Sequence, residues 1–156
     1  TTRSAGRIRT GRAAVIDVGS HTARLALYEV GARGGFRVVF RAKEVPRLGR
    51  QVADDGSLSP GAIDRGLQAL DRFARDLKEL GGPPVRAVAT SAVRDAPNRG
   101  RFLTEVRRRT GLRLRVLSGR EEARYGYLGV AAAWPLDRDL IADLGGGSLQ
   151  LVRVAG

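Results

Sequence analysis

The spacing of hydrophobic residues predicts three strands at the start of the chain. Residues 13–19 are mostly apolar, whereas residues 22–30 and 35–45 alternate apolar and polar positions. A continuous apolar run is typical of a buried strand, and alternation is typical of a strand with one buried face. We therefore predict a three-stranded meander over this part of the chain.

The pattern then changes to helical spacing. Apolar residues recur every three or four positions over residues 60–80, after Ser59 and Pro60, which suit the N-cap and the first position of a helix. The remaining predicted elements are strands at 85–90 and 112–117, helices at 98–110 and 121–133, and a hairpin from residue 139. The resulting order β-β-β-α-β-α-β-α-β-β is mixed α/β, and its opening hairpin differs from a doubly wound nucleotide fold.

The last hairpin repeats the first one. The matching pairs are Asp17 with Asp143, Gly19 with Gly145, and Thr22 with Ser148. Glycine lets a bulky anion approach a row of backbone N–H groups, and a neighbouring carboxylate can hold a divalent cation. One copy would be typical of an ordinary hairpin, but two copies a domain's length apart favour a phosphate site built from facing hairpins.

The repeat also predicts the domain organisation. We expect a flexible basic tail over residues 1–11, a first domain over 12–134, and the beginning of a second domain of the same plan over 135–156. Only about two strands of the second domain are present, so the sequence is interpreted as a fragment. We expect its terminal hairpin, which is short of sheet partners, to be mobile or paired with another copy of the chain.

Composition narrows the classes of partner. Among 156 residues, 28 are basic and 16 are acidic, and the net charge of +12 indicates a polyanionic ligand. The arginines occur in every segment and only 5% of residues are aromatic, which argues against nucleic acid. The chain has no cysteine, which excludes a disulfide framework, and its one histidine argues against a zinc cage. No apolar run is long enough for a membrane span, and we expect a cytoplasmic protein.

Two glutamates begin the helix predicted at 121–133. Ser118 and Glu121 have the spacing of a capping box, which gives Glu121 a structural role. Glu122 has no such role, and the helix dipole keeps its carboxylate ionised. Beside a phosphate site it could accept a proton from an attacking water. The alternative is that Glu122 merely favours the start of the helix.

Arg94 is the second candidate for chemistry. It follows a predicted strand, at the end where α/β proteins collect ligands, and its guanidinium could bind phosphate oxygens as a fork. The alternative is a surface ion pair with Asp95 or another acid. His21, in the first loop, is either a phosphate contact or an ordinary loop residue.

Four segments, "IDVGSHTARLALYEV", "ATSAVRDAPNRGRFL", "SGREEARYGYLGV" and "DLGGGSLQL", resemble the exopolyphosphatase/guanosine pentaphosphate phosphohydrolase (Ppx/GppA) family in order and spacing, over essentially residues 12–156. That family belongs to the superfamily of acetate and sugar kinases, heat-shock ATPases and actin. The resemblance implies an RNase H-like, actin-type ATPase domain of α/β class. Its mixed sheet would open with a three-stranded meander and have helices packed on it, followed by the first hairpin of a second, duplicated domain across a cleft.

The resemblance also implies roles for individual residues. The catalytic base falls on Glu122 and a catalytic, phosphate-contacting arginine on Arg94. Mg²⁺ or another divalent cation would be held by Asp143 and Asp17. The implied phosphate-binding residues are Asp17, Gly19, Ser20, His21 and Thr22 in the first loop, Gly145, Gly146, Gly147 and Ser148 in the second, and Arg94.

The implied reaction is hydrolytic removal of the terminal phosphate of inorganic polyphosphate, or of the 5′ γ-phosphate of guanosine pentaphosphate. Three residues depart from the family pattern. His21 replaces the usual asparagine, Leu149 a common threonine, and Gln150 a glutamate near the metal. The last change keeps open a second function, namely binding of polyphosphate or an alarmone with little or no turnover.

Two further classes stay as weaker alternatives, a sugar-kinase-like or actin-like ATPase and a nucleic-acid-binding module. The full-length protein is compatible with a homodimer and with no membrane partner. For residues 1–156 alone, with half of the cleft absent, we expect weak polyphosphate binding and negligible hydrolysis.

Overall fold

The structure is a computed structural model that describes residues 11–31, 35–50 and 55–155. The elements are β1 Gly11–Val18, β2 Ala23–Val30, β3 Phe36–Glu44, α1 Pro60–Glu79, β4 Val85–Ala89, α2 Ser91–Arg94, α3 Arg99–Thr110, β5 Leu114–Val116, α4 Gly119–Ala131, β6 Leu140–Leu144 and β7 Leu149–Arg153. This order agrees with the predicted pattern except at α2, a single helical turn where the sequence indicated only a turn. The predicted tail lies outside the described residues except for Gly11, which is the first residue of β1.

The first five strands form one sheet in the order β3-β2-β1-β4-β5. Strands β1 to β3 pair antiparallel as the predicted meander, and β4 and β5 run parallel to β1. Val18, Ala89 and Val116 are register partners at the carboxyl ends of the three parallel strands. The segments that follow these strands therefore emerge at one edge of the sheet.

Alternation along the strands gives the sheet an inner, buried face and an outer face. The inner residues are Ala14, Ile16 and Val18 of β1, Ala23, Leu25 and Leu27 of β2, and Ala87 and Ala89 of β4. They form one core with buried residues of α1 and α3, among them Leu70, Phe73, Phe102 and Val106. Burial of these side chains from water is the main force that fixes the two helices on this face.

Helix α1 begins and ends as the sequence predicts. The Ser59 hydroxyl accepts a hydrogen bond from the backbone N–H of Ala62, and Pro60 is the first helical residue. After the helix, Gly81 and Gly82 adopt positive φ values of 88° and 64°, which glycine tolerates without strain. In the middle of α1, Gly66 packs closely on α3. A Cβ added at this position would lie only 3.0 Å from Phe102 Cε2.

Strands β6 and β7 form a separate two-stranded antiparallel sheet. Most of its side chains face solvent, and Leu144 is 80% exposed. Helix α4, which has no buried residue, packs chiefly on this hairpin. Across the parts of the chain that the structure describes, the helices lack the length and apolar character needed to cross a bilayer.

Candidate active site

The first predicted phosphate loop, residues 19–22, joins β1 to β2 at the carboxyl edge of the sheet. The backbone N–H of Gly19 donates to the carbonyl of Thr22 at 2.9 Å and closes the loop. The carbonyls of Ser20 and His21 accept hydrogen bonds from Gly49 at 2.8 Å and Arg47 at 3.1 Å. The segment after β3 therefore holds the loop from behind.

The second predicted loop, residues 145–148, repeats this geometry. The N–H of Gly145 donates to the carbonyl of Ser148 at 2.9 Å, so each loop is closed by the same bond between its first and last residues. A Cβ added at Gly19 or Gly145 would lie 3.3 or 3.4 Å from the carbonyl oxygen that closes its own loop. The repeat predicted from the sequence is thus a repeat of three-dimensional structure.

Both loops have free backbone donors at their tips. Within the described ranges, the N–H groups of Ser20 and His21 and those of Gly146 and Gly147 donate to no protein acceptor. Consecutive free N–H groups in a tight loop are a favourable site for an anion. This arrangement supports the phosphate-binding role expected of the loops.

The two loops also touch each other. A Cβ added at Gly147 would lie 2.7 Å from Ser20 Oγ, and one added at Gly146 would lie 2.9 Å from His21 Cβ. Real Cβ atoms do not approach other atoms so closely, so these positions require glycine while the loops stay in contact. The sequence suggested only that these glycines face phosphate, and their contact with the first loop is a finding of the structure.

Arg94 and Glu122 form an ion pair at the same edge of the sheet. Arg94 is the last residue of α2, which follows β4, and Glu122 lies in the first turn of α4, which follows β5. Arg94 Nη1 donates to Glu122 Oε2 at 2.7 Å. This charged hydrogen bond is the main cause that raises the pKa of Arg94 above its ordinary value. No partner for Glu122 could be predicted from the sequence, and in the structure that partner is Arg94.

The alternative interpretation of Arg94 is also realised. Arg94 Nε contacts Asp95 Oδ1 at 3.1 Å, in addition to the bond from Nη1 to Glu122. The Glu122 bond is the more shielded one, because the Arg94 and Glu122 side chains are 21% and 16% exposed whereas Asp95 is 68% exposed. Arg94 therefore forms ion pairs with both acids, and the shielded one, with Glu122, lies at the candidate site.

The capping box predicted at the start of α4 is present. The Ser118 hydroxyl accepts from the N–H of Glu121, and the Glu121 carboxylate accepts from the N–H of Ser118 at 2.9 Å. This hydrogen bond is the main cause that lowers the pKa of Glu121. Because Glu121 is used for capping, the next residue, Glu122, is directed towards the loops.

The charge of the Asp17 carboxylate is affected by two other carboxylates near the loops. Burial is the largest cause that raises the pKa of Asp17, and the negative charges of Glu122 and Asp143 raise it further, whereas Arg24 lowers it. Within the described residues there is no group of three or more His, Cys, Asp or Glu side chains that could hold a metal ion. Mg²⁺ does not need one, since it is usually held by one or two carboxylates together with water and substrate phosphate. Asp17 and Asp143 fit that requirement.

Gln150 lies beside this cluster. It is the register partner of Asp143 and is 9% exposed. Its amide donates to Ser148 Oγ at 2.9 Å, and the Ser148 hydroxyl donates to Glu122 Oε1 at 3.4 Å. The side chain that replaces the family's acid therefore supports the second loop and connects it to Glu122.

Ser91 is a site residue that sequence reasoning missed. Its hydroxyl is buried and lies 2.7 Å from that of Ser20, so it ties the first loop to α2, the helix that ends in Arg94. The two serines are 71 residues apart, and only the pairing of β1 with β4 brings them together. No local pattern in the sequence could have indicated this contact.

A surface concavity lies elsewhere, at the opposite end of the meander. It has a volume of about 760 Å³ and is lined in part by Gly11, Val30 and Phe36. Its one carboxylate, Glu29, is already bonded to Arg12 and Arg37. We therefore place the candidate active site at the loops, where a phosphate-binding backbone, an arginine and a carboxylate meet.

The arrangement of two equivalent loops around a carboxylate and an arginine agrees with the resemblance seen in the sequence. Residues 27–156 match the Ppx/GppA phosphatase family. The chain belongs to this family. Its fold is the RNase H-like, actin-type α/β domain with a meander followed by helices, together with a hairpin that repeats the first one.

Solved structures of the family are similar over nearly the whole chain. The Ppx/GppA family member of Aquifex aeolicus is 33% identical with a TM-score of 0.80, over 93% of this chain and 47% of that one. An exopolyphosphatase of Cytophaga hutchinsonii is 28% identical with a TM-score of 0.88, over 93% and 47%. An exopolyphosphatase-like protein is 36% identical with a TM-score of 0.84, over 93% and 45%. The chain thus spans about half the length of these family structures.

Proposed function

We propose that the protein hydrolyses a terminal phosphoanhydride bond of inorganic polyphosphate. The observation that supports this best is the convergence of Glu122 and Arg94 on the two phosphate loops, within a family described as phosphatases. The exopolyphosphatase of Cytophaga hutchinsonii, which shares this fold, supports polyphosphate as the substrate. The 5′ γ-phosphate of guanosine pentaphosphate is a second substrate of the same chemical class.

In the proposed reaction, the N–H groups of the loops bind the terminal phosphate and orient it. Arg94 donates hydrogen bonds to the phosphoryl oxygens and offsets their charge. Glu122 accepts a proton from the attacking water, whose oxygen bonds to phosphorus while the bridging oxygen leaves with the shortened chain. Asp17 and Asp143 would hold a divalent cation, which neutralises phosphate charge when bound.

The hydrogen bond from Arg94 occupies one oxygen of the Glu122 carboxylate, Oε2. In the structure the carboxylate is neutralised by the guanidinium. When a phosphate binds, its oxygens offer Arg94 an alternative partner that can accept two hydrogen bonds from the guanidinium at once. We infer that substrate binding draws Arg94 from Glu122 and leaves the carboxylate available as a base.

The decisive experiment is Glu122→Gln in the intact protein. Hydrolysis of polyphosphate should fall on the order of 10²- to 10⁴-fold, because the general base is lost, while polyphosphate binding stays nearly the same. Phosphate release and binding are measured separately, with Mg²⁺ present. Near-normal turnover in this variant would contradict the proposal.

Glu121→Gln is the matched control, because it makes the same chemical change one residue away. It should lower the free energy of unfolding slightly, because Gln can still form the cap but lacks the negative charge that favours a helix N-terminus, with little effect on hydrolysis by the folded protein. Chemical denaturation and phosphate release check the two effects.

A second function, binding without turnover, is favoured by one observation. Gln150 puts a neutral amide opposite Asp143, where the family pattern has an acid, and so reduces the charge available to a cation. The same assay decides, since tight polyphosphate binding with no Mg²⁺-dependent phosphate release in the unmodified protein would favour this function.

A further inference from the structure

The outer face of the sheet, opposite to α1 and α3, is basic. Arg24 of β2 and Lys43 of β3 are direct register partners. The next row on this face crosses four strands, with Arg41 of β3 opposite Ala26 of β2. Arg86 of β4 lies at the other end of that row, opposite Val15 of β1. All four basic side chains are exposed.

The position of Arg24 opposite Asp17 accounts for one of these cations, but not for the other three. Like charges directly opposite on neighbouring strands have Cβ atoms about 5 Å apart and destabilise a sheet. Within the described residues, the five strands place only one acid on this face, Asp17, and none of the four cations has an ion pair. By contrast, Arg12 and Arg37 at the far end of the meander are both paired with Glu29.

Two of the cations lie on a line that leads away from the first phosphate loop. Asp17, Arg24 and Lys43 are consecutive register partners across β1, β2 and β3. This row begins beside the first phosphate loop and ends on β3, the edge strand of the sheet. A chain of anions whose end lies in the candidate active site could follow the row outward past Asp17 and contact one cation on β2 and one on β3.

We propose that Arg24, Arg41 and Lys43 form a basic track that binds the distal phosphates of a long inorganic polyphosphate chain. The proposal rests on the proposed function for the identity of the anion. Each exposed contact contributes little binding free energy by itself, but the contributions of several contacts along one flexible polyanion add. Their sum decreases as the salt concentration rises. The track would therefore give the protein a preference for long chains over short ones.

The test compares long-chain polyphosphate with tripolyphosphate, which is too short to leave the loops and cross two strands. In the double variant Arg41→Ala/Lys43→Ala of the full chain, the ratio of long-chain affinity to tripolyphosphate affinity should fall by about three- to tenfold. The slope of log affinity against log salt for the long chain should fall by roughly 0.7 per lost contact.

The matched control is Arg75→Ala/Lys78→Ala, which removes the same two residue types from exposed positions of α1, on the other side of the sheet. Circular dichroism checks that both variants are folded. An equal fall in the affinity ratio in the control, or none in the test variant, would overturn the track. The track would also be overturned, in favour of a nucleic-acid surface, if the test variant lost as much affinity for single-stranded RNA of matched charge as for polyphosphate.

The test of the track can fail or succeed independently of the test of the proposed hydrolysis. If tripolyphosphate is hydrolysed and the affinity ratio does not change, the track alone is wrong. If no polyphosphate is hydrolysed and the ratio still falls, the track is supported and the hydrolytic function is wrong.

Discussion

Asp17 shows the conflict between stability and function at the scale of a single residue. Its carboxylate is largely buried, near Glu122 and Asp143, and each of these conditions disfavours its negative charge. Arg24 offsets only part of this effect, since the net change in the pKa of Asp17 is upward. A charge that the fold disfavours is typical of a group retained for binding or catalysis.

We expect Asp17→Asn to stabilise the protein at neutral pH by about 1 kcal/mol, in the absence of divalent cations. A carboxyl with a raised pKa binds more protons in the folded state than in the unfolded state. Stability therefore falls as pH rises from the unfolded-state pKa to the raised pKa of the folded state. The advantage of Asn should appear over that window, persist above it and vanish below the unfolded-state pKa.

Denaturation curves at several pH values, with a chelator present, check this expectation. The same substitution should reduce turnover, because it removes a proposed cation ligand. A variant that is less stable than the unmodified protein at neutral pH would show that Arg24 outweighs the other charges.

At the scale of the element, sequence reasoning was most reliable where a local rule applies. The caps of α1 and α4, the meander and the repeated hairpin each depend on residues close in sequence, and each is confirmed. Helix α2 was missed because four residues are too few to show a helical period. The pairing of Glu122 with Arg94 could not be predicted, since it depends on β4 and β5 being neighbours in the sheet.

The crossing of α1 and α3 gives a prediction for this scale. Gly66→Ala should lower the free energy of unfolding by about 1–2 kcal/mol, because the added methyl group would lie 3.0 Å from both Leu48 and Phe102. Gly100→Ala, in the first turn of α3 with nothing within 4 Å of its added Cβ, should instead stabilise by up to about 1 kcal/mol. Thermal or urea denaturation of the two variants should thus give shifts of opposite sign.

At the scale of the whole molecule, the two sheets differ in the number of neighbouring elements that stabilise them. Strands β1 and β2 lie inside a five-stranded sheet with a buried face, whereas among the described residues β6 and β7 pair only with each other and pack chiefly on α4. The sequence predicted this contrast from the repeat. The domain division at residues 134–135 stays a prediction.

We therefore expect amide hydrogen exchange in β6 and β7 to be faster than in β1 and β2 by several orders of magnitude, because local opening of the small sheet exposes little apolar surface. Exchange followed by mass spectrometry on the 156-residue chain measures this directly. Equal protection in the two sheets would indicate that the hairpin has another partner in solution, such as a second copy of the chain.

The contact between Gly147 and Ser20 has a consequence for kinetics. The space between Gly147 and Ser20 is too narrow even for an added Cβ atom, so a phosphate can enter between them only if the loops separate. The measured dissociation constant is then the intrinsic one divided by the fraction of molecules with separated loops. A substitution that props the loops apart would raise that fraction, so bulk at position 147 could speed ligand capture while weakening the closed state.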